Sequence, residues 1–157
     1  MRISTLVSTL ATIALSSARI IGLAAPSTLK PGDPYAFKLL TENYIQSVYD
    51  VSVAWGYSAA PGHLQSLGSS VGSAYLGSSV SNTLNNITIS ASAPSDLGSL
   101  AGDSKKVVLS AAVYSLYGAS SMPTIANFNV TINVGDSTSS QFTRNNGFTW
   151  GTSSDCQ

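Results

Sequence analysis

Cysteine and histidine are almost absent from this 157-residue sequence, which contains only Cys156 and His63. A single cysteine cannot form a disulfide within the chain, so a folded domain must be held together by packing. One histidine and one cysteine cannot supply the ligands of a typical zinc site. A Ser-His-Asp triad could use only His63, an exposed bystander in a Pro-Gly loop with no carboxylate nearby in the sequence. We therefore expect no catalytic residue, no metal and no cofactor, and a protein that is not an enzyme.

Charged residues are also scarce, at 9% of the chain, against roughly 25% in an ordinary globular protein. Acidic and basic residues are equal in number, with seven of each. A chain without a basic surplus lacks the charge that binds phosphate groups, so we expect no nucleic-acid partner. Ser, Thr, Asn and Gly fill many of the remaining positions and predict a hydroxyl-rich, weakly charged surface.

The apolar run at residues 3–15 is too short to span a bilayer core of roughly 30 Å, so we expect no membrane span. The run follows Arg2 and precedes small residues that end at Ala18. This order is typical of a secretory signal peptide. We predict that residues 1–18 are the signal, that cleavage follows Ala18 and that the secreted chain begins at Arg19.

The rest of the chain is predicted to be all-β, because short strands alternate with turn residues and no helical period is long enough to indicate a helix. We predict seven strands, at residues 19–23, 35–41, 46–57, 73–76, 86–91, 105–117 and 127–134. Their number and spacing are typical of an immunoglobulin-like β-sandwich, with a small barrel as the alternative. We expect one domain at residues 19–135 and a polar, mobile, disordered tail at residues 136–157. Cys156 in this tail is expected to be inert, with an intermolecular bridge or a free thiol as the alternative.

The strand at residues 46–57 has the clearest alternation in the sequence. Its apolar set, which we expect in the core, is Tyr49, Val51, Val53, Trp55 and Tyr57. The intervening set, which we expect to face solvent, is Asp50, Ser52 and Ala54. Val53 and Trp55 should therefore be core residues, and Asp50 should lie on the opposite face.

Paired carboxylates are the remaining signal for enzymatic chemistry. Glycoside hydrolysis needs two carboxylates at a fixed separation across the sugar. Glu42 and Asp50 are the nearest plausible pair in this sequence. Isolated, solvated carboxylates are the ordinary interpretation of both residues, so the enzyme hypothesis keeps little weight.

Two sequons, Asn86-Ile87-Thr88 and Asn129-Val130-Thr131, fit the N-glycosylation pattern. In each sequon the apolar middle residue belongs to the inward face of a predicted strand. Asn86 and Asn129 should therefore face solvent, where the enzymes of the secretory pathway can reach them. We predict that both are glycosylated.

Tyr114 and Tyr117 are three residues apart in one predicted strand, so they must point to opposite faces if the strand is regular. At least one of them is then a surface aromatic residue, which can anchor a protein interface. Tyr44, in the preceding loop, is the next candidate for partner contact. Exposed aromatic rings can also stack on sugars, which keeps open a non-catalytic module that binds cell-wall polysaccharides.

Several strings of the sequence occur in the same order as in a known family. They are Arg19-Ile20, Leu29-Lys30-Pro31-Gly32-Asp33, TENYIQSVYDV at residues 41–51, Ser66-Leu67-Gly68, Tyr75-Leu76-Gly77, SLYGASS at residues 115–121 and Asn127-Phe128-Asn129-Val130-Thr131. Over residues 19–139 the chain resembles the necrosis-inducing secreted protein family of fungal effectors. The extension at residues 144–157 departs from that pattern.

This resemblance implies a secreted, extracellular protein of a plant-associated fungus that provokes cell death in some hosts and suppresses pattern-triggered immunity. It also implies binding and inhibition of two immune kinases, a membrane co-receptor kinase and a receptor-like cytoplasmic kinase. Because kinase domains lie inside the host cell, translocation into host cytoplasm stays open. The resemblance assigns no catalytic residue. Our candidate residues for contact with the kinases are Tyr114, Tyr117 and Tyr44. A polysaccharide-binding module is the alternative function.

Overall fold

The computed structural model describes residues 17–145 and 149–151. These residues form ten β-strands, one short α-helix and a single 3-10 turn. In chain order the strands and the helix are β1 (Ser17–Pro26), β2 (Thr28–Leu29), β3 (Pro34–Tyr44), β4 (Val48–Ala59), β5 (Ser69–Tyr75), β6 (Ile87–Ser92), α1 (Leu97–Ala101), β7 (Lys106–Tyr117), β8 (Met122–Val134), β9 (Phe142–Asn145) and β10 (Thr149–Gly151). Each strand predicted from the sequence is present, and β2, β9 and β10 add to them.

The strands form two sheets. The first sheet has the order β6-β3-β1-β9, and the second has the order β10-β8-β7-β4-β5, with β2 alongside β8. Neighbouring strands are antiparallel, except that β2 is parallel to β8. Buried residues of both sheets belong to one hydrophobic core, so the predicted all-β sandwich is confirmed. No helix among the described residues is long and apolar enough to cross a bilayer.

Large apolar side chains from both sheets fill the core. The rings of Phe37 in β3 and Trp55 in β4 meet edge to face with their centroids 5.2 Å apart, which joins the two sheets. Val53 and Tyr57 are 0% and 1% exposed, and Trp55 is 8% exposed. The predicted inward positions of these three residues are therefore confirmed. Leu97 of α1 is also fully buried and belongs to the same core.

A β-bulge near the start of β4 reverses two other expectations. Asp50 pairs with Ser115 of β7, and the next paired position on β4 is Ser52. The unpaired Val51 between them interrupts the alternation of side chains. As a result Asp50 is 2% exposed, whereas Tyr49 is 37% exposed. The prediction that Tyr49 faces the core and Asp50 faces solvent is wrong.

The segment expected to be a mobile tail contains two strands, because β9 pairs with β1 and β10 pairs with β8. The linker before β9 is also hydrogen-bonded to the rest of the domain. The hydroxyl of Thr138 donates to Asp33 Oδ2 at 3.0 Å. The backbone N–H of Ser139 donates to the carbonyl of Thr28 at 2.9 Å. Sheet edges offer unpaired backbone groups, and even a polar segment can satisfy them. The structure therefore differs from the expected tail over residues 136–145 and 149–151.

Part of the terminal predictions lies outside the described residues. Residues 1–16 hold most of the predicted signal peptide, and residues 152–157 include Cys156. Ala18 is the second residue of β1. Cleavage after Ala18 stays a prediction, and it would leave β1 beginning at Arg19.

Candidate partner-binding site

The outer face of the second sheet brings exposed side chains into one row. Tyr75 of β5 lies opposite Ser52 of β4. Tyr114 of β7 lies opposite Ser52 on one side and opposite Ile125 of β8 on the other. Paired residues of antiparallel strands point to the same side of the sheet, so these four share the outer face. Tyr75, Tyr114 and Ile125 are 73%, 38% and 49% exposed.

The bulge in β4 adds Tyr49 to this row. Tyr49 pairs with Leu116, which shares the outward orientation of Tyr114 because the two are separated by one residue. The hydroxyl groups of Tyr49 and Tyr75 are hydrogen-bonded at 2.8 Å. This hydrogen bond raises the pKa of Tyr49 above its ordinary value. We call this surface the tyrosine face; it consists of Tyr49, Tyr75, Tyr114 and Ile125.

The tyrosine face presents aromatic rings and hydroxyl groups but no charge. The described residues paired across it, Ser52, Leu116 and Pro123, are also uncharged. The four strands are hydrogen-bonded into one sheet, which sets a spacing of roughly 4.8 Å between neighbouring strands. Because the backbone beneath these rings is already ordered, a partner would lose little of its binding energy to ordering this surface.

Tyr117 points into the sandwich, away from Tyr114, so the opposite orientation predicted from their spacing is confirmed. Tyr117 is 6% exposed, and its ring meets that of Tyr44 edge to face with centroids 5.8 Å apart. Burial, together with the nearby Asp50 carboxyl, raises the pKa of Tyr117 to about 12. The guanidinium of Arg19 lies 4.7 Å from the centroid of the Tyr44 ring. Of the three candidate tyrosines, only Tyr114 is on the tyrosine face.

The two carboxylates considered for glycoside hydrolysis lie in different sheets. Asp50 of β4 is buried, and the hydroxyl of Ser115 donates to its Oδ1 at 2.6 Å. Burial raises the pKa of the Asp50 carboxyl, and the hydrogen bond from Ser115 opposes that effect. Glu42 of β3 forms a salt bridge with Arg19 at 2.7 Å. The structure therefore gives Asp50 an interior hydrogen bond and Glu42 a cationic partner.

His63 is exposed, as predicted, in the loop at residues 60–68. This loop and the outer face of the second sheet enclose a cavity of about 100 Å³, whose lining includes His63, Leu64, Ser110, Asn127 and Asn129. Within the part of the chain that the structure describes, no three His, Cys, Asp or Glu side chains come together as possible metal ligands.

Both sequon asparagines are exposed, as the alternation predicted. Asn86 precedes β6, and its Oδ1 accepts the backbone N–H of Thr41 at 3.1 Å. Asn129 lies within β8, and its Oδ1 accepts from Nδ2 of Asn145 at 3.4 Å. These bonds engage the amide oxygen, whereas N-glycosylation modifies the amide nitrogen. Glycosylation itself stays a prediction at both positions.

The profile of the Nis1 family matches residues 16–133. The chain belongs to the Nis1 family. Two relatives, both called necrosis-inducing secreted protein 1, come from Colletotrichum higginsianum and Colletotrichum orbiculare. The first is 45% identical over 130 residues, which cover 82% of this chain and 87% of the relative. The second is 46% identical over 136 residues, which cover 84% of this chain and 79% of the relative.

The family resemblance found in the sequence is thus confirmed. Among solved structures, a superoxide reductase (neelaredoxin) from Ignicoccus hospitalis is similar over 76% of this chain and 80% of its own, with a TM-score of 0.40 and 14% identity. A likeness this low says nothing about function. The tyrosine face, from Tyr49 to Ile125, lies wholly within the residues that match the Nis1 family.

The sequence pattern does not reveal three members of the tyrosine face. Tyr49 precedes the bulge that reverses the orientation of side chains in β4, and Tyr75 is the last residue of the short edge strand β5. Ile125 precedes the predicted start of its strand at residue 127. One signal in the sequence could have revealed Ile125. It lies two residues before Asn127 and four before Asn129, so a strand that begins two residues earlier would turn Ile125 to the same outward face.

Proposed function

We propose that this member of the Nis1 family is a secreted effector that induces cell death in plant tissue. We further propose that it suppresses immune signalling by binding and inhibiting immune receptor-associated kinases. The names of the two relatives support secretion and the induction of necrosis. The resemblance in the sequence supports the kinase partners, namely a membrane co-receptor kinase and a receptor-like cytoplasmic kinase. The surface that we propose for this contact is the tyrosine face.

One observation carries the choice of surface: Tyr75, Tyr114 and Ile125 stay exposed in one row across a sheet whose other face is tightly packed, with only Ser52 between Tyr75 and Tyr114. Adjacent exposed hydrophobic side chains of this kind are characteristic of interaction sites. Tyrosine is also enriched among the residues that contribute most to protein binding. A sheet face bound to a kinase domain would inhibit the kinase by covering a surface that substrate binding or lobe closure requires.

The test of this surface uses the secreted chain, purified kinase domains and the substitution Tyr114→Ala. Loss of a central aromatic anchor should cost about 2 kcal/mol of binding, roughly thirtyfold in affinity, with a matching loss of kinase inhibition. Ser90→Ala, at an exposed position of β6 in the first sheet, is the control and should bind as the wild type does. Undiminished inhibition by both Tyr114→Ala and Tyr75→Ala would exclude the tyrosine face as the contact. Failure of the wild type to bind any immune kinase domain would refute the kinase proposal itself.

A non-catalytic polysaccharide-binding module is the second candidate function, and the neutrality of the tyrosine face favours it. Tyrosine rings can pack on the apolar faces of sugars, while hydroxyl groups such as those of Tyr49 and Tyr75 exchange hydrogen bonds with sugar hydroxyls. A pull-down against chitin, cellulose and β-glucan beside the kinase domains separates the two functions. Retention on a polysaccharide that Tyr114→Ala abolishes, without kinase binding, would select this second candidate.

A further inference from the structure

The cavity beneath the loop at residues 60–68 lies directly beside a sequon asparagine. Asn129 of β8 is opposite Ser110 of β7 on the outer face of the second sheet, and both residues line the cavity. A sugar attached to the exposed side chain of Asn129 would therefore start at the edge of this cavity. Reaching the cavity would need no rearrangement of the strand.

The loop that forms the opposite wall is pressed against β4. A Cβ atom on Gly68 would lie 2.0 Å from the carbonyl oxygen of Tyr57, and one on Gly56 would lie 2.6 Å from the carbonyl oxygen of Leu67. Such contacts leave no space for a side chain, so only glycine allows this approach. The carboxyl-terminal end of the loop, at Leu67 and Gly68, is consequently fixed by backbone packing.

The middle of the loop, in contrast, exposes a large apolar side chain beside the cavity. Leu64 is 90% exposed, although it lines the cavity together with His63 and Asn127. The cavity thus combines an apolar side chain with amide and imidazole groups. An amino sugar has the same two properties, because its ring has apolar C–H faces and its substituents form hydrogen bonds.

We propose that Asn129 carries an N-linked glycan whose first N-acetylglucosamine lies in this cavity against Leu64. The bond joins Nδ2 of Asn129 to the anomeric carbon of the sugar. The nitrogen loses one proton, and the lipid pyrophosphate of the oligosaccharide donor leaves. The proposal rests on the proposed function in one respect, since only a chain that enters the secretory pathway meets this donor. Its structural consequence is that the bound sugar holds the loop at residues 60–68 against the sheet.

The second sequon provides an internal comparison. Asn86 immediately precedes β6, which is the edge strand of the other sheet. A glycan on Asn86 would therefore be remote from the loop at residues 60–68. Both glycans add mass and polar surface to the protein, but only the glycan on Asn129 should protect this loop.

The experiment uses the full chain secreted from a eukaryotic host, with Thr131→Ala and Thr88→Ala as single variants. Each substitution destroys one sequon while keeping its asparagine, and both threonines are exposed. Intact mass before and after glycosidase treatment should show that each variant lacks one glycan. Hydrogen exchange of residues 60–68 should be several-fold faster in Thr131→Ala and unchanged in Thr88→Ala. Trimming to a single N-acetylglucosamine should preserve the protection.

Two controls separate the glycan from the substitution. Wild type and Thr131→Ala made in bacteria, without glycans, should show equal exchange in the loop. Leu64→Ser should keep the glycan mass but lose the protection. The proposal is overturned if Asn129 carries no glycan, or if glycosylated wild type and Thr131→Ala exchange alike. A glycan at Asn86 alone would overturn this proposal and leave secretion standing, whereas retention of the chain inside the cell would overturn both.

Discussion

The two sides of the β4–β7 strand pair use the same backbone for different purposes. On the inner side Val53, Trp55 and Val113 are 0%, 8% and 1% exposed and pack against the first sheet. On the outer side Tyr49 and Tyr114 are 37% and 38% exposed. The inner residues stabilise the fold by leaving water, while much of the aromatic area on the outer side stays exposed. Aromatic area that folding leaves exposed is available for binding another molecule.

The inner side is not apolar throughout. Asp50 and Ser115 are both buried there, and their hydrogen bond provides the carboxyl with a donor. Tyr117 lies close enough to Asp50 for the carboxyl to affect its pKa. Orientation, rather than residue type, therefore decides burial on this strand pair, since the carboxyl of Asp50 is interior while the adjacent Tyr49 is exposed.

The largest loss of stability is expected from Val53→Asp, on the inner side. This substitution places an unpaired carboxylate among apolar neighbours and should cost several kcal/mol, a large share of the roughly 5–15 kcal/mol that stabilises a typical domain. We expect loss of the folded state or a greatly lowered Tm by circular dichroism. Val71→Asp is the matched control, because Val71 is 60% exposed on β5, and it should keep the native Tm. A near-native Tm for Val53→Asp would contradict the core assignment.

Tyr117→Ala and Tyr114→Ala should differ in how much stability they remove, because the two side chains lie on opposite sides of the sheet. Removing the buried Tyr117 side chain should cost about 3 kcal/mol, as is typical for truncation of a large core residue. Removing the half-exposed Tyr114 side chain should cost less than about 1 kcal/mol, because it leaves no cavity in the core. Urea denaturation of both variants measures the difference. Equal losses of stability would mean that the two tyrosines do not differ in burial as the structure shows.

The buried carboxyl of Asp50 should make the stability of the protein depend on pH, and Asp50→Asn should remove that dependence. Burial raises the pKa of Asp50 above its ordinary value of 3.8 in the folded state, so the folded protein binds more protons than the unfolded one between the two values. The stability of wild type relative to Asp50→Asn should therefore be highest in acid. It should fall as pH rises from about 4 through the raised pKa, since asparagine does not titrate. Urea denaturation of both proteins over this range provides the measurement, and a relative stability that increases with pH would disprove the burial of Asp50.

The smallest expected effect is on the outer side, where Tyr75→Phe removes one hydroxyl of the Tyr49–Tyr75 hydrogen bond. The pKa of Tyr49 should fall toward its ordinary value, because that hydrogen bond is the main cause of its shift. The free energy of unfolding should change by less than about 0.5 kcal/mol at such an exposed position. Ultraviolet titration of the tyrosines measures the pKa, with Tyr114→Phe as the control. An unchanged Tyr49 titration would argue against the hydrogen bond.

Local patterns in the sequence were sufficient for the large apolar residues of the inner side, although not for Asp50. Alternation correctly placed Val53, Trp55 and Tyr57 in the core, and a spacing of three residues correctly separated Tyr114 from Tyr117. Both inferences depend only on the two-residue period of a strand, which is a property of neighbouring residues. The resemblance to a family likewise depended on short strings, and it was confirmed over residues 16–133.

By itself, then, the sequence determined that this protein is an all-β member of its family, where its main strands lie and which residues fill most of its core. The tertiary structure alone decided the bulge between Asp50 and Ser52, the pairing of β9 and β10 with sheet edges, and the assembly of the tyrosine face from four strands. These features depend on the register between strands that are far apart in the chain. An inserted residue such as Val51 changes no local pattern, yet it reverses every orientation before it once the strand is paired.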